Sequence, residues 1–307
     1  MRALSNVCGS AYPAALSALV VASLGCASPD AAIREAESRA LTLSITDLQM
    51  HLRADAYHSF AHVDEQGRNV FSVALWRLDR LADQRDARNA GPDEDNVIQF
   101  ARGRALARLR RYADAAEAYG RVAASDGVLS EPAQQDGKLM ELFASLAEVA
   151  SHSLSDQDAE LARIEAWADE WLHVAEALGD SPYAPSARLE AESWEQARVE
   201  LLAAMGRSPE AIRACVRLLQ RHRDSKLYAR HLIRLGDLHA ETARLEHVRS
   251  RTERRTLDVN RYERSLERAF SAYELASETR KSVLRREARS KIEALLAYHE
   301  GVRTDVR

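Results

Sequence analysis

The residues best placed for chemistry are three histidines in one short stretch, HLRADAYHSFAH, residues 51–62. Spacings of seven and four residues put His51, His58 and His62 on one face of a helix, together with Asp55. Imidazole and carboxylate groups on one stripe could bind a metal ion, so His58 and His62 form a candidate metal site. The alternative, which we favour, is that the histidines are half-exposed surface residues, because the stretch has no Glu-x-x-His arrangement that would supply a catalytic base.

Other signatures of catalysis are absent from the sequence. It contains no Gly-x-Ser-x-Gly, no His-Glu-x-x-His, no phosphate-binding glycine loop and no dinucleotide fingerprint. Three cysteines without a Cys-x-x-Cys spacing argue against structural zinc, and Cys215 sits mid-helix at a packing position. We therefore expect a protein that is not an enzyme and needs no cofactor. A metal-dependent enzyme or accessory domain that uses the three-histidine face is the alternative.

Composition indicates a helical protein. The 307 residues are 46% hydrophobic and 29% charged, with only 12 Gly and 7 Pro. Abundant Ala, Leu, Arg and Glu favour helix, and the length suits one large domain or a repeat array. The net charge of −4 gives no support for a nucleic-acid-binding protein.

The N-terminus has the features of an export signal. Residues 1–25 carry one charged side chain, Arg2, followed by 11 apolar or small residues from Ala14 to Leu24. A membrane-spanning helix needs about 20 such residues. The stretch therefore predicts a signal peptide that is removed from the mature protein.

The end of this signal, Ser23-Leu24-Gly25-Cys26, resembles the lipobox of bacterial lipoproteins, with Ser23 where Leu is usual. The resemblance implies that Cys26 is acylated and that residues 26–35 form a lipid-anchored tether. No aspartate follows Cys26, which implies an outer-membrane lipoprotein facing the periplasm. The alternative is ordinary signal-peptidase cleavage nearby.

The rest of the chain reads as helices separated by short Gly-, Pro- and Ser-containing breaks. We expect N-terminal helical hairpins over 36–92, a repeat array over 93–300 and a tail over 301–307. The predicted helices are 31–42, 45–62, 69–88, 95–109, 112–124, 131–150, 156–178, 183–204, 208–222, 226–250, 256–279 and 281–299.

The helix in LRRYADAAEAYGRVA, residues 109–123, has small residues where large apolar ones are usual. Gly103 precedes Ala115 by twelve residues, Tyr119 follows four later, and Tyr112 lies three before Ala115. This pattern resembles the tetratricopeptide repeat (TPR), in which small residues let two helices of a hairpin approach closely. Gly103 and Ala115 would form that contact, with Tyr119 filling the gap toward the next hairpin.

Similar residues recur further along the chain. Two stretches, GDSPYAPSARLEA and HRDSKLYARHLIRLG, also share an Asp-Ser pair that resembles inter-repeat turns of periplasmic TPR proteins. The spacing from Gly236 to Ala269 is 33 residues rather than twelve, so that hairpin has longer helices or an insertion. The recurring positions are Gly206, Ala211 and Cys215 in one copy, then Leu235, Gly236, Ala269 and Tyr273 in another. The resemblance implies an all-α fold, an α-solenoid of TPR-like helical hairpins with a right-handed superhelix and a concave groove.

In the TPR family, side chains of the first helix of each hairpin line that groove and hold a peptide or a partner helix. The equivalent positions here mix charge with a few apolar anchors, which suits a polypeptide better than a metabolite. They are Val97, Phe100, Arg104, Arg108, Gln196, Glu200, Ala203, Arg230, Ile233, Asp237 and Glu241.

Charge is unevenly distributed along the chain. Residues 244–291 contain 14 Lys/Arg and 8 Asp/Glu, whereas the rest is acidic. Such a basic segment could bind cell-wall polymer, anionic lipid or an acidic partner, but the explanation we favour is helix faces with paired charges. The favoured function is a membrane-anchored adaptor in cell-envelope assembly, with a protein or peptide partner; its oligomeric state is left open. A cell-wall-binding module using the basic helices is a further alternative.

Overall fold

The structure is a computed structural model that describes residues 29–54, 66–86, 92–149, 156–280 and 282–305. In these ranges the chain is all-helical, with eleven α-helices and no β-strand. None of these helices is long and apolar enough to cross a membrane. The helices are α1 Pro29–Ala54, α2 Val70–Asp86, α3 Pro92–Arg108, α4 Tyr112–Ala123, α5 Ser130–Val149, α6 Gln157–Leu178, α7 Ala184–Ala204, α8 Ser208–Arg221, α9 Tyr228–Thr252, α10 Val259–Ser277 and α11 Ser282–Asp305.

The all-helical prediction is confirmed, but the first predicted break is wrong. A single helix, α1, replaces the predicted helices 31–42 and 45–62 up to Ala54. At the expected break, Ser44 and Thr46 donate their hydroxyls to the carbonyls of Ala40 and Thr42, each over 2.8 Å. Because each hydroxyl bonds to a carbonyl one turn earlier, the serine and the threonine can remain inside the helix.

The expected tail over 301–307 is also different in the structure. Helix α11 continues through Gly301 to Asp305. Val302 is buried and packs into the core, and this contact outweighs the weak helix propensity of one exposed glycine.

Three helix–helix turns share one hydrogen-bonding pattern. Each contains a residue with positive φ, and the next residue is an arginine: Arg110 at 61°, Gly206 at 71° and Arg254 at 52°. The backbone N–H of that arginine donates five residues back, which closes the helix end as a Schellman motif. These bonds are Arg111 to Leu106 at 3.0 Å, Arg207 to Leu202 at 2.9 Å and Arg255 to Ser250 at 2.9 Å.

The chain forms two compact units that do not follow the expected domain boundaries. Unit 1 comprises residues 1–153 and 177–186, and unit 2 comprises 154–176 and 187–307. In unit 1, α1 packs on both α2 and α3, so the helices within 36–92 contact those that follow, a point that the sequence left open. In unit 2, α9 packs against both α10 and α11.

Candidate functional site

A glycine faces a tyrosine ring in the core of each unit. A Cβ atom added at Gly103 of α3 would lie 2.6 Å from the Tyr119 ring, so no larger residue fits without a shift. A Cβ at Gly236 of α9 would lie within 3.0 Å of the Tyr273 ring. The nearest side chain to Gly103 is thus Tyr119, not the predicted Ala115. The Tyr119 ring fills the space that a side chain at position 103 would need.

The other residues proposed for repeat packing lie mostly inside the protein. Ala115, Ala211 and Ala269 are fully buried, and Leu235 is half-buried against the core of unit 2. Gly206 occupies the turn between α7 and α8 with positive φ. Tyr112 is buried and its ring meets Phe143 edge-on, at 5.3 Å between centroids.

Cys215, at the equivalent of the tyrosine position, is a buried packing residue. Its Sγ lies 3.6 Å from the carbonyl oxygen of His231. Burial raises the pKa of the Cys215 thiol to about 12, so the reactive thiolate is not formed near neutral pH.

On α3, the residues proposed for a partner groove are engaged within unit 1. Val97 and Phe100 are half-buried, and the Arg104 guanidinium stacks 4.9 Å above the Phe100 ring. Arg108 is buried and lies 5.0 Å over the Phe71 ring of α2. Its assignment to an accessible groove is therefore wrong, because the neighbouring helix covers it.

Behind these residues is a buried polar network. The Tyr183 hydroxyl donates to Asp136 over 3.0 Å and lies 2.9 Å from the Tyr119 hydroxyl. Burial raises the pKa of Asp136, while the Arg104 charge and the Tyr183 hydrogen bond act in the opposite direction. The network fixes Tyr119 over Gly103 and is not a surface for a ligand.

In unit 2, some of the residues proposed for the groove are exposed to solvent, and others are buried or bound to neighbouring side chains. Ile233 is buried in the core, so its assignment to the groove is also wrong. Asp237 is bound by the Tyr273 hydroxyl and Lys291 Nζ, each over 2.7 Å. Glu200 forms a two-bond pair with Arg234. Arg230 and Glu241 remain exposed, and Gln196 and Ala203 are half-buried.

An open groove of about 430 Å³ lies between α7 and α8 of unit 2. Its apolar lining comes from half-buried Ile212 and Val216 and from buried Leu202, and mostly basic side chains border it. Sequence analysis missed this groove because α8 was considered only for its buried face. The signal was an Ile-Arg pair repeated four residues later as Val-Arg, which puts apolar and basic side chains side by side on one helix. The remaining lining residues are Arg198, Glu210, Arg213 and Arg217.

The three arginines of this groove differ in their partners. Arg198 is paired with Glu165 of α6 over 2.7 Å. Arg213 and Arg217 are exposed and form no ion pair with any described residue. Two guanidinium groups are thus available to an anionic ligand.

Beside the groove, charged residues of α6, α7 and α8 form a closed network. Arg221 binds Glu195 at 2.6 Å and Asp169 at 3.3 Å. Burial would raise the pKa of Glu195, but hydrogen bonds from His222 and Arg221 outweigh it and lower that pKa. The cavity within this network is about 30 Å³, which is the space of a water molecule and excludes a metabolite.

The candidate metal site lies largely beyond the described residues. His51 is described, with Nε2 at 3.4 Å from Asp47, whereas His58 and His62 are outside these ranges, as is Cys26. Among the residues that are described, no group of three or more His, Cys, Asp or Glu side chains could hold a metal ion.

The basic segment 244–291 is partly neutralised by neighbouring carboxylates. Arg255 pairs with buried Glu246 at 2.7 Å, and Lys291 pairs with Asp237. Arg244 lies 5.4 Å from the centre of the Tyr298 ring. Paired charges therefore account for part of the basic excess in this segment.

Comparisons with models of protein families, with curated proteins and with solved structures find no match to the chain. Its function must therefore be inferred from its own residues. In unit 2, the α7–α8 groove combines apolar side chains with two exposed arginines that form no ion pair with a described residue, although the charge of Arg213 also acts on Glu210. This combination can bind a polypeptide segment that carries both carboxylates and apolar side chains.

Proposed function

We propose that the chain is a membrane-anchored scaffold of TPR-like helical hairpins that binds an acidic segment of a protein partner. The α7–α8 groove carries this proposal. Guanidinium groups bind carboxylates through paired hydrogen bonds, and the half-buried side chains of Ile212 and Val216 offer contact to apolar side chains between them. The groove is open to solvent, which suits a segment of a polypeptide better than an enclosed metabolite.

The repeated geometry of the hairpins supports the TPR-like part of the proposal. The glycine–tyrosine contact occurs in α3–α4 and again in α9–α10. The same turn, with a positive-φ residue followed by arginine, closes α3, α7 and α9. A repeat array of this kind, an α-solenoid, offers extended surfaces for binding proteins.

The sequence around Cys26 supports the anchored part of the proposal. Acylation of this cysteine would hold the scaffold at the periplasmic face of the outer membrane. Confinement there raises the effective concentration of any partner in the same envelope complex. The partner class is an envelope protein, with no nucleic acid involved, and the proposed role is in assembly of a multiprotein complex.

The test is capture of the partner in the native cell. Full-length protein with a C-terminal tag is crosslinked briefly, and copurifying envelope proteins are identified from detergent extracts. The double variant Arg213→Glu/Arg217→Glu is expected to lose the partner by about 100-fold, because reversing charges in a contact costs several kcal/mol. Both side chains are exposed, so the fold, monitored by circular dichroism, should be unchanged.

Arg230→Glu is the matched control, since it reverses an exposed arginine of the same unit outside the groove. Retention of the partner by this control supports the groove. Loss of the partner in Arg230→Glu or Arg104→Glu, with binding kept in the double variant, would instead favour the face that the sequence predicted. If no protein copurifies above the untagged background, the adaptor proposal fails.

A further inference from the structure

Helix α1 has an apolar stripe on its solvent side. Ile33, Leu43 and Met50 are 43%, 70% and 57% exposed, and Ala36 and Ala40 lie on the same stripe. The helical repeat places all five within an arc of about 100°. Leu48 lies outside this arc, at about 110° from its centre, and is buried against the rest of unit 1. The stripe therefore plays no part in the core.

Helix α2 extends this apolar face. Trp76 is 57% exposed, and the Arg80 guanidinium lies 5.1 Å from the centre of its ring. The neighbouring residue Arg77 binds Asp47 over 2.7 Å, and Asp47 lies on the α1 stripe between Leu43 and Met50. The ion pair thus holds α2 against the α1 stripe one residue after Trp76 in the sequence.

Within the described part of unit 1, this clustering is confined to the first two helices. Five large apolar side chains are exposed in the described part of unit 1, and four of them are on this face. The fifth is Val128, in the turn before α5. We call Ile33, Leu43, Met50 and Trp76 the α1–α2 face.

We propose that the α1–α2 face docks on the surface of a lipid bilayer. The inference rests on the proposed anchor, because Cys26 precedes Pro29 by three residues. Three extended residues span about 10 Å, so an acylated Cys26 would hold the start of α1 at the membrane surface. A helix tethered at that point can lie along the interface with an apolar stripe among the lipids.

The side chains of the face suit a membrane interface. Tryptophan prefers the boundary between headgroups and acyl chains, and arginine can place its apolar stem there while its charge stays in water. The charges along the stripe are balanced by pairs, Arg77 with Asp47 and Arg39 with Glu35. Apolar contact, and not attraction to anionic headgroups, would therefore hold the face, so binding should change little with salt.

The experiment places a polarity-sensitive fluorophore on the face. Acylated full-length Met50→Cys protein is labelled, with Cys26 blocked by the acyl group and the Cys215 thiol buried. Val128→Cys is the matched control in the same unit. After reconstitution into phosphatidylethanolamine–phosphatidylglycerol vesicles, we expect a blue shift of emission at position 50 and none at 128. Adding Leu43→Glu should abolish the shift at position 50.

Unshifted emission at position 50, in protein that is acylated and bound to the vesicles, overturns the docking proposal while the anchor stands. Mass spectrometry of Cys26 tests the anchor separately. If Cys26 is not acylated, a Cys26→Ser/Met50→Cys protein, labelled at position 50 alone, is mixed with the vesicles: a blue shift supports the face alone, and no shift overturns it. A shift that appears without lipid and grows with protein concentration means that a second copy covers the face, which also overturns the proposal.

Discussion

At the scale of the residue, the two core glycines make the sharpest stability prediction. Gly103→Ala and Gly236→Ala would each push a Cβ into a tyrosine ring, closer than real contacts allow. Overpacking of this kind costs about 1–3 kcal/mol, so both variants should unfold at lower urea concentration than the parent protein. Gly120→Ala is the control: Gly120 is helical with open space around it, and the change should stabilise by about 0.5–1 kcal/mol.

The outcome is informative in either direction. If Gly103→Ala stabilises the protein as Gly120→Ala does, helix propensity dominates and the ring contact is not a constraint. A combined Gly103→Ala/Tyr119→Ala variant should destabilise less than the sum of its parts, because the ring that meets the new methyl group is gone.

Buried His239 predicts a loss of stability in mild acid. Burial, with a smaller effect from Arg268, lowers the pKa of His239 to about 4. The unfolded chain, with a histidine pKa near 6.5, binds the proton more readily, so stability is full above about pH 6.5 and falls as the pH drops toward 4. At about pH 5 the loss should be on the order of 2 kcal/mol.

Urea unfolding of His239→Leu at about pH 7 and pH 5 tests this effect, since the variant should lose that part of the pH dependence. His173→Leu, at an exposed position of α6, is the control and should behave like the parent protein. Equal pH dependence in the parent protein and in His239→Leu would show that His239 is not buried as a neutral group.

The burial of single residues was predictable where their spacing along one helix decides it. The small positions Ala115, Ala211 and Ala269 are all buried. Arg108 and Ile233 were placed wrongly, because helix periodicity gives a face but not which neighbour covers it. The groove arginines on α8 were overlooked for the complementary reason: the groove forms only where α8 lies beside α7, which supplies Arg198 and Leu202.

At the scale of the element, the turns with positive φ predict that glycine stabilises the protein where it replaces Arg254 and that alanine does not. Arg254 holds φ at 52°, a conformation that costs a residue with a side chain about 1 kcal/mol and glycine little. Arg254→Gly should therefore stabilise the protein by about 0.5–1 kcal/mol in urea unfolding. Arg254→Ala separates the backbone from the loss of the side chain and should be close to neutral. Destabilisation by Arg254→Gly alone would argue against a left-handed turn.

Helix boundaries followed from sequence wherever turn residues mark them. The ends of α4 and α8 lie at Gly-, Ser- or Arg-rich turns and were predicted within one residue. The separation of Gly236 from Ala269 left two alternatives, and longer helices are the one observed, since α9 runs on to Thr252. The continuity of α1 was not predictable from propensity, because hydroxyls that often end helices here bond within it.

At the scale of the whole molecule, the two units are interleaved along the chain. Residues 177–186 belong to unit 1, although α6 before them belongs mostly to unit 2. This segment supplies Tyr183, whose hydroxyl is hydrogen-bonded to Asp136 and Tyr119. These residues lie 47 and 64 positions earlier in the sequence. Local sequence patterns cannot reveal a long-range contact of this kind, so the unit boundaries were not predicted.

Tyr183→Phe tests how much this segment contributes to unit 1. The change removes a hydroxyl that donates to buried Asp136, and leaving that carboxylate unsatisfied should cost about 1–3 kcal/mol. The hydrogen bond favours the charged form of Asp136, so the cost should be largest at neutral pH and shrink as Asp136 becomes protonated in acid. Urea unfolding at neutral and acidic pH measures the loss of stability and its change with pH.

Tyr228→Phe is the control, because Tyr228 is a half-buried tyrosine of unit 2 without a described hydrogen-bond partner for its hydroxyl. A loss that is the same at both pH values would mean that the hydroxyl acts through Tyr119 packing and not through Asp136.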